Sequence, residues 1–83
     1  QNNNNVQIYP NPNNGSFTIE HNLKKGNYVL EIVDLMGKVV HSENITAAQQ
    51  EISMQQLCKG LYLVNFKSNT DKLMYLTKMS VIN

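Results

Sequence analysis

The sequence predicts an all-β fold, a small β-sandwich of about seven short strands. Apolar residues recur at every second position over most of the chain, which is the period of a half-buried strand. Turn residues interrupt these segments about every eight to twelve residues, a spacing typical of sandwiches. The 83 residues are enough for one core. We therefore expect a polar linker remnant over residues 1–5 and one domain over residues 6–83.

The first half of the chain contains four predicted strands. Pro10 is expected to end the first of them, because proline cannot donate a ladder hydrogen bond. Gly26 is free to take a positive φ in the turn before the third strand, and Gly37 is expected in a left-handed position in the hairpin turn after it. The four strands are predicted over residues 6–9, 17–19, 28–34 and 38–43.

The second half contains three predicted strands, over residues 51–53, 61–67 and 72–82. Residues 45–50 are polar and are expected to form a connection. Residues 53–57 could make one helical turn, which is too short to stand alone. Alternation in the last two strands assigns Tyr62 and Met79 to faces that also carry other apolar residues.

Composition excludes several classes of function. The net charge is +1, and all seven basic residues are lysines spread along the chain, so a nucleic-acid reader is unexpected. The single cysteine, Cys58, cannot form an internal disulfide, and a zinc site is unexpected without a Cys/His cluster. No apolar run is long enough to span a bilayer. The chain is therefore expected to be a binding, structural or targeting module, without enzymatic activity and without a cofactor.

Two histidines and one cysteine are the residues most able to carry chemistry. His21 and His41 could belong to a catalytic triad, but no G-x-S-x-G elbow is present, and we expect both at the surface or at an edge. Lys59 could lower the pKa of Cys58. We interpret Cys58 instead as a small apolar residue that is half buried at a bend.

Both prolines of the chain lie in one asparagine-rich loop, residues 10–15. Its amide oxygens could bind calcium, but the loop offers no carboxylate, and Asx turns are the better interpretation. Pro12 restricts Asn11 to extended conformations, and Gly15 permits the reversal into the second strand. The loop is therefore predicted to be a structural device at the start of the domain.

Four motifs occur in a fixed order over about 75 of the 83 residues. They are Y-P-N-P followed by Gly15, then D-x-x-G-K-x-V within residues 33–40, G-x-Y-x-V within residues 57–64, and a closing lysine-plus-apolar tail over residues 78–83. As a set they closely resemble the C-terminal sorting domain of type IX secretion cargo, type A, also called the Por secretion system domain.

The resemblance implies an immunoglobulin-like β-sandwich at the end of a large exported protein, acting as a signal. The expected partners are the type IX translocon and its shuttle proteins, a sortase-like peptidase that removes the domain, and an upstream passenger domain. The resemblance also implies a secreted or cell-surface location in a Gram-negative bacterium, reached through the periplasm.

The resemblance assigns roles to individual positions. Asn83 departs from the basic or apolar residue that many relatives carry last. The family's structural motifs match Pro10, Asn11, Pro12, Gly15, Gly37, Lys38, Gly60 and Tyr62. The residues expected to be recognised by the translocon are Lys78, Met79, Val81, Ile82 and Asn83.

Two alternatives concern the tail and the function. An apolar terminal strand with one cation could add to the sheet of another protein, or it could only complete its own sheet while Lys78 reaches into water. A carbohydrate-binding or adhesive sandwich appended to a secreted enzyme is the rival function. It would need exposed aromatic side chains, and the chain has no tryptophan and four tyrosines, mostly within strand patterns.

Overall fold

The computed structural model describes residues 5–54, 57–70 and 72–82. These residues form seven strands in two antiparallel sheets, and the predicted all-β sandwich is confirmed. Among them no helix is long and apolar enough to cross a membrane. The strands are β1 Val6–Tyr9, β2 Ser16–His21, β3 Tyr28–Val33, β4 Val39–Ile45, β5 Gln49–Ser53, β6 Gly60–Ser68 and β7 Leu73–Val81.

One sheet has three strands in the order β1-β2-β5, and the other has four in the order β4-β3-β6-β7. Consecutive strands do not always pair, since β2 pairs with β5 and β3 pairs with β6. The last strand, β7, pairs with β6 and ends the four-stranded sheet. The C-terminal part of the chain therefore lies at a sheet edge.

The core lies between the two sheets and is built from alternate positions of their strands. Burying such apolar side chains contributes roughly 1.5–3 kcal/mol each, which is the main term favouring the fold. The prediction that Tyr62 and Met79 lie on apolar faces is confirmed, since both are buried. The largest fully buried side chains are Phe17, Phe66, Ile19, Leu30, Ile32, Ile45, Ile52, Met79, Val64 and Val81.

Three expectations about connections need correction or fall outside the description. The polar connection is shorter than predicted, because β4 extends to the fully buried Ile45 and β5 already begins at Gln49. Gly26 does not have a positive φ. Residues 55–56 of the expected helical turn lie outside the described residues.

The β3–β4 hairpin follows the prediction. One carboxylate oxygen of Asp34 accepts hydrogen bonds from the backbone N–H groups of Met36 and Lys38, both at 2.9 Å. Gly37 has a φ of 88°, a conformation that favours glycine. The D-x-x-G-K motif is therefore a turn whose aspartate bonds to the backbone of its own loop.

The prediction that both histidines lie at the surface or at an edge is wrong for His21, which is buried. Its ring lies 5.0 Å from the ring of Tyr28 and 5.4 Å from that of Phe66. Its Nε2 lies 3.2 Å from the carbonyl oxygen of Ala47, and Nδ1 accepts from the backbone N–H of Leu23. His21 is thus a satisfied core residue at the end of β2, and strand alternation with Phe17 and Ile19 places it there.

Candidate functional site

The end of β7 carries most of the residues that the sequence predicts to be recognised. Met79 and Val81 point into the core and are 0% and 2% exposed. Lys78 and Ile82 lie on the opposite face and are exposed. The strand therefore presents one cation and one apolar side chain to solvent and anchors itself with the residues between them. Asn83, also predicted to be recognised, lies outside the described residues.

The side chain of Asn11 bonds to the free edge of β7. Its Nδ2 donates to the carbonyl oxygen of Lys78 at 3.0 Å, and its Oδ1 accepts from the backbone N–H of Ser80 at 3.0 Å. One amide side chain thus satisfies a donor and an acceptor that a neighbouring strand would otherwise satisfy. These residues are 67 and 69 positions apart in the chain.

The backbone of Asn13 continues the same edge. Its N–H donates to the carbonyl oxygen of Ser80 at 3.0 Å, and its carbonyl oxygen accepts from the N–H of Ile82 at 2.7 Å. Asn13 thereby forms a parallel bridge opposite Val81. Its side chain is buried and stabilises the loop, accepting from the N–H of Gly15 at 2.8 Å and donating to the carbonyl oxygen of Pro10 at 3.1 Å.

Gly15 fixes the other side of this loop. Its φ is +105°, and a Cβ placed on it would lie 2.6 Å from the carbonyl oxygen of Met54. The same backbone accepts a hydrogen bond from the N–H of Met54 at 2.7 Å. Only glycine can approach Met54 this closely. Pro10 and Pro12 lie exposed in the loop, and both X-Pro bonds are cis.

The loop divides the edge of β7 into two parts. We call residues 78–82 the covered segment, because Asn11 and Asn13 bond to the outward backbone groups of Lys78, Ser80 and Ile82. We call residues 73–77 the open segment, because no described residue outside β6 forms a backbone hydrogen bond with it. The two segments therefore offer a partner different groups, side chains in the covered segment and some backbone groups in the open segment.

The remaining motif residues lie beside the covered segment. Gly60 pairs with Val81, and Tyr62 pairs with Met79. The hydroxyl of Tyr62 donates to the carbonyl oxygen of Cys58 at 2.6 Å. Burial raises the pKa of the Tyr62 phenol, and the nearby charges of Cys58 and Asp34 raise it further. The G-x-Y-x-V motif of β6 therefore pairs with the part of β7 that carries the closing lysine-plus-apolar motif.

One row of residues connects the hairpin motif to the tail across the outer face of the four-stranded sheet. Val39 pairs with Val33, Val33 with Leu63, and Leu63 with Lys78. Val33 is buried although it does not belong to the core between the sheets. Lys78 therefore lies at the end of an apolar row, with Leu61 and Ile82 as further exposed apolar residues.

The described residues support neither a catalytic triad at His41 nor the expected environment of Cys58. The ring of His41 pairs with the Glu43 carboxylate at 2.9 Å, and no Ser, Thr or Cys side chain among the described residues bonds to it. Cys58 is exposed, which corrects the expectation that it is half buried. The described residues contain no group of three or more His, Cys, Asp or Glu side chains that could hold a metal ion.

An aromatic platform for sugar is also missing among the tyrosines. Tyr28 and Tyr62 are buried, Tyr75 is half-buried, and Tyr9 alone is exposed. The Tyr9 hydroxyl donates to the Glu20 carboxylate at 2.7 Å, and this hydrogen bond raises the pKa of the phenol. Sugar stacking usually requires a flat exposed aromatic surface, and one isolated tyrosine gives little support for the carbohydrate-binding alternative.

Comparison with protein families gives a match over residues 7–82 to the secretion system C-terminal sorting domain. The chain belongs to this family. It is the C-terminal sorting signal of type IX secretion, as the motifs predicted. The family is not catalytic. Type IX secretion exports proteins across the outer membrane of Gram-negative bacteria, to the cell surface or the extracellular space.

A solved structure with the same fold is that of PorZ from Porphyromonas gingivalis, described as an essential bacterial surface component of the type IX secretion system. The TM-score is 0.68 at 24% sequence identity, over 94% of this chain. The sorting domain spans 11% of the length of that protein chain. A search of curated proteins finds no sequence with significant similarity to the present chain.

The main feature missed at the level of sequence is the contact between the loop and β7. Asn13 was expected to form only a local Asx turn, and Ser80 was assigned no role. The adjacency of Y-P-N-P-N and a terminal strand cannot be read from spacing, since 67 residues separate Asn11 from Lys78. The signal that could have indicated this contact is the presence of Asn11 and Asn13 in the loop that carries both prolines.

Proposed function

We propose that the type IX machinery recognises this domain through the exposed side chains at the end of β7, Lys78 and Ile82, together with Asn83. The observation that carries the proposal is the fixed presentation of Lys78. Asn11 bonds to its carbonyl oxygen, and Leu63 lies beside it on the outer face. A cation held beside an apolar row can select a partner by charge and by shape.

The buried tail residues Met79 and Val81 would contribute to recognition indirectly, by positioning Lys78 and Ile82. Met79 and Val81 are inaccessible while the two sheets are packed, so a partner cannot contact them in the folded domain. Their burial sets the register that turns Lys78 and Ile82 outward. Asn11 and Gly15 hold the loop that covers the backbone of this segment, so recognition here depends on side chains.

The proposed partners are the translocon and shuttle proteins of the system. A sortase-like peptidase would cut within the linker at residues 1–5 and release the upstream passenger. The passenger would reach the surface through the periplasm. The domain has no enzymatic role in this proposal, because it acts as a signal on the protein that carries it.

Export of a fused reporter tests the proposal. The domain would be placed behind a signal peptide and a reporter in a bacterium that possesses the system, and surface reporter would be measured. Deleting residues 78–83 would also remove core side chains of Met79 and Val81, so retention of that deletion could reflect unfolding. Substituting exposed side chains separates recognition from folding.

Lys78→Gln and Ile82→Ser are expected to leave the reporter in the periplasm while the domain stays folded. The matched control for the lysine variant is Lys25→Gln, which makes the same change at an exposed turn position. The control for the isoleucine variant is Met36→Ser, which also replaces an exposed apolar side chain with serine. The controls should export normally. Full export of both tail variants would refute recognition through these side chains, and retention of the unchanged fusion would refute the sorting role of this domain.

A further inference from the structure

Asn14 and Gly15 form the sole asparagine-glycine pair of the chain. An asparagine in such a pair is prone to deamidation, because glycine has no side chain to shield its backbone nitrogen. That nitrogen loses its proton and attacks Cγ of the asparagine, the side-chain nitrogen leaves as ammonia, and a succinimide ring forms. Water then opens the ring and yields aspartate or isoaspartate. The pair is therefore a candidate site of covalent modification.

The Asn14 side chain is accessible in the folded domain. The residue is exposed, and its Oδ1 accepts a hydrogen bond from the N–H of Ser16 at 3.3 Å. Strong N–H···O bonds are about 2.7–3.2 Å long, so this one restrains the side chain weakly. Protection of the pair in the folded state therefore has to come from Gly15.

Gly15 is buried and held at both of its backbone polar groups. Its N–H donates to Oδ1 of Asn13 at 2.8 Å, and its carbonyl oxygen accepts from the N–H of Met54 at 2.7 Å. The nitrogen of Gly15 cannot turn towards Cγ of Asn14 without losing the bond to Asn13. The bond to Met54 limits how far the rest of the residue can shift.

The bond to Asn13 also opposes the loss of the proton. The Gly15 nitrogen attacks only after it gives up the proton that Asn13 Oδ1 accepts, and an amide oxygen is too weak a base to take it. The Asn13 side chain is buried, and its Nδ2 donates to the carbonyl oxygen of Pro10 at 3.1 Å. Removing the proton would leave Oδ1 buried without its donor, which costs free energy.

We propose that Asn14 is a latent deamidation site, which the hydrogen bond from Gly15 to Asn13 keeps unreactive in the folded domain. The site reacts once that bond breaks, so deamidation at Asn14 marks chains that have unfolded. The reaction needs water and no other reactant. It is independent of the recognition proposed for Lys78 and Ile82.

The isoaspartate product would alter the cover of β7. Isoaspartate routes the main chain through the former side chain and lengthens the path between residues 13 and 15. Asn13 is bonded to Ile82 and Gly15 to Met54, so a longer path cannot keep both contacts in register. Amide exchange at Ile82 should accelerate in the refolded isoaspartate product, and equal exchange in product and parent would overturn this consequence.

Peptide mapping by mass spectrometry tests the proposal. The chain is kept in mildly alkaline buffer, folded in one sample and unfolded in urea in the other, and aspartate and isoaspartate at position 14 are measured over time. Deamidation should be at least about tenfold slower in the folded sample, because the loop must open first. Equal rates in the two samples, or no reaction at position 14 in the unfolded chain, overturn the proposal.

Two alanine variants separate the bond to Gly15 from the general stability of the loop. Asn13→Ala removes two side-chain hydrogen bonds, one of them from Gly15, and Asn11→Ala removes the two that lead to β7. Folded Asn13→Ala should deamidate about tenfold faster than the parent, since a buried hydrogen bond is lost at the reacting nitrogen. Folded Asn11→Ala should stay within about threefold of the parent, because Gly15 keeps its partner. Equal rates in the two variants overturn the role of Asn13.

If Asn13→Ala fails to fold, the unchanged chain still decides the matter. In urea below the unfolding transition, the deamidation rate at Asn14 and the exchange rate of the Gly15 amide should rise in parallel, since both require the same bond to break. Deamidation that accelerates while the Gly15 amide stays protected overturns the proposal.

Discussion

The two parts of the edge formed by β7 and the residue after it present different chemistry, and a register shift at Met74 interrupts the first part alone. In the covered segment, residues 78–82, the loop bonds to the outward backbone, and only side chains such as Lys78 and Ile82 are available. In the open segment, residues 73–77, no described loop residue bonds to the outward backbone groups of Leu76. A loop in the first half of the sequence thus decides which part of the β7 edge keeps its outward backbone groups uncovered.

Gly15→Ala should have the largest effect on this division. An alanine there must adopt a positive φ and place its Cβ against the carbonyl oxygen of Met54, at 2.6 Å. We expect a loss of about 3 kcal/mol of unfolding free energy in urea titrations. Gly37→Ala is the control. It also has a positive φ, but nothing lies within 4 Å of its Cβ, so about 1 kcal/mol is expected. Equal losses would show that the loop does not need its close approach.

Asn11→Ala should open part of the covered segment. It removes two side-chain hydrogen bonds and should cost about 1–2 kcal/mol. Amide exchange should accelerate at Ser80, which bonds to Asn11, but not at Ile82, which bonds to the backbone of Asn13.

The control for that variant is Asn14→Ala, in the same loop. The Asn14 side chain makes one exposed contact, with the N–H of Ser16 at 3.3 Å, so a change below about 0.5 kcal/mol is expected. Unchanged exchange at Ser80 in Asn11→Ala would mean that Asn11 does not protect this edge in solution.

Tyr62 should give the smallest effect, seen at high pH. It pairs with Met79 under the covered segment, and the pKa of its phenol is raised above the ordinary 10.0 by burial. The folded state keeps this proton where the unfolded chain has lost it, so the free energy of unfolding falls as pH rises above 10. Tyr62→Phe should reduce this slope. Tyr62→Phe also removes the hydrogen bond to the carbonyl oxygen of Cys58. That loss of stability is the same at every pH, so it does not change the slope of unfolding free energy against pH. An identical slope would exclude Tyr62 as its source.

Much of the fold was predictable because strand alternation is a local property. The period of two identified the strands, and Asp34 and Gly37 identified the hairpin. The polar stretch at residues 45–50 was misread, because β5 buries few of its side chains and looks like a loop. His21 was misread for the opposite reason, since a polar residue at a core position breaks the pattern without leaving the core.

The sequence by itself determined the sandwich, its family and the motif residues, because these depend on local periodicity and on short fixed patterns. Only the tertiary structure decided that Asn11 and Asn13 lie against β7, that Met79 and Val81 are hidden, and that the edge is open at Leu76. The physical reason is that hydrogen bonding at a sheet edge depends on which segment, distant in sequence, packs beside that edge. The packing of the two sheets determines which segment lies there, and the residues adjacent in sequence do not.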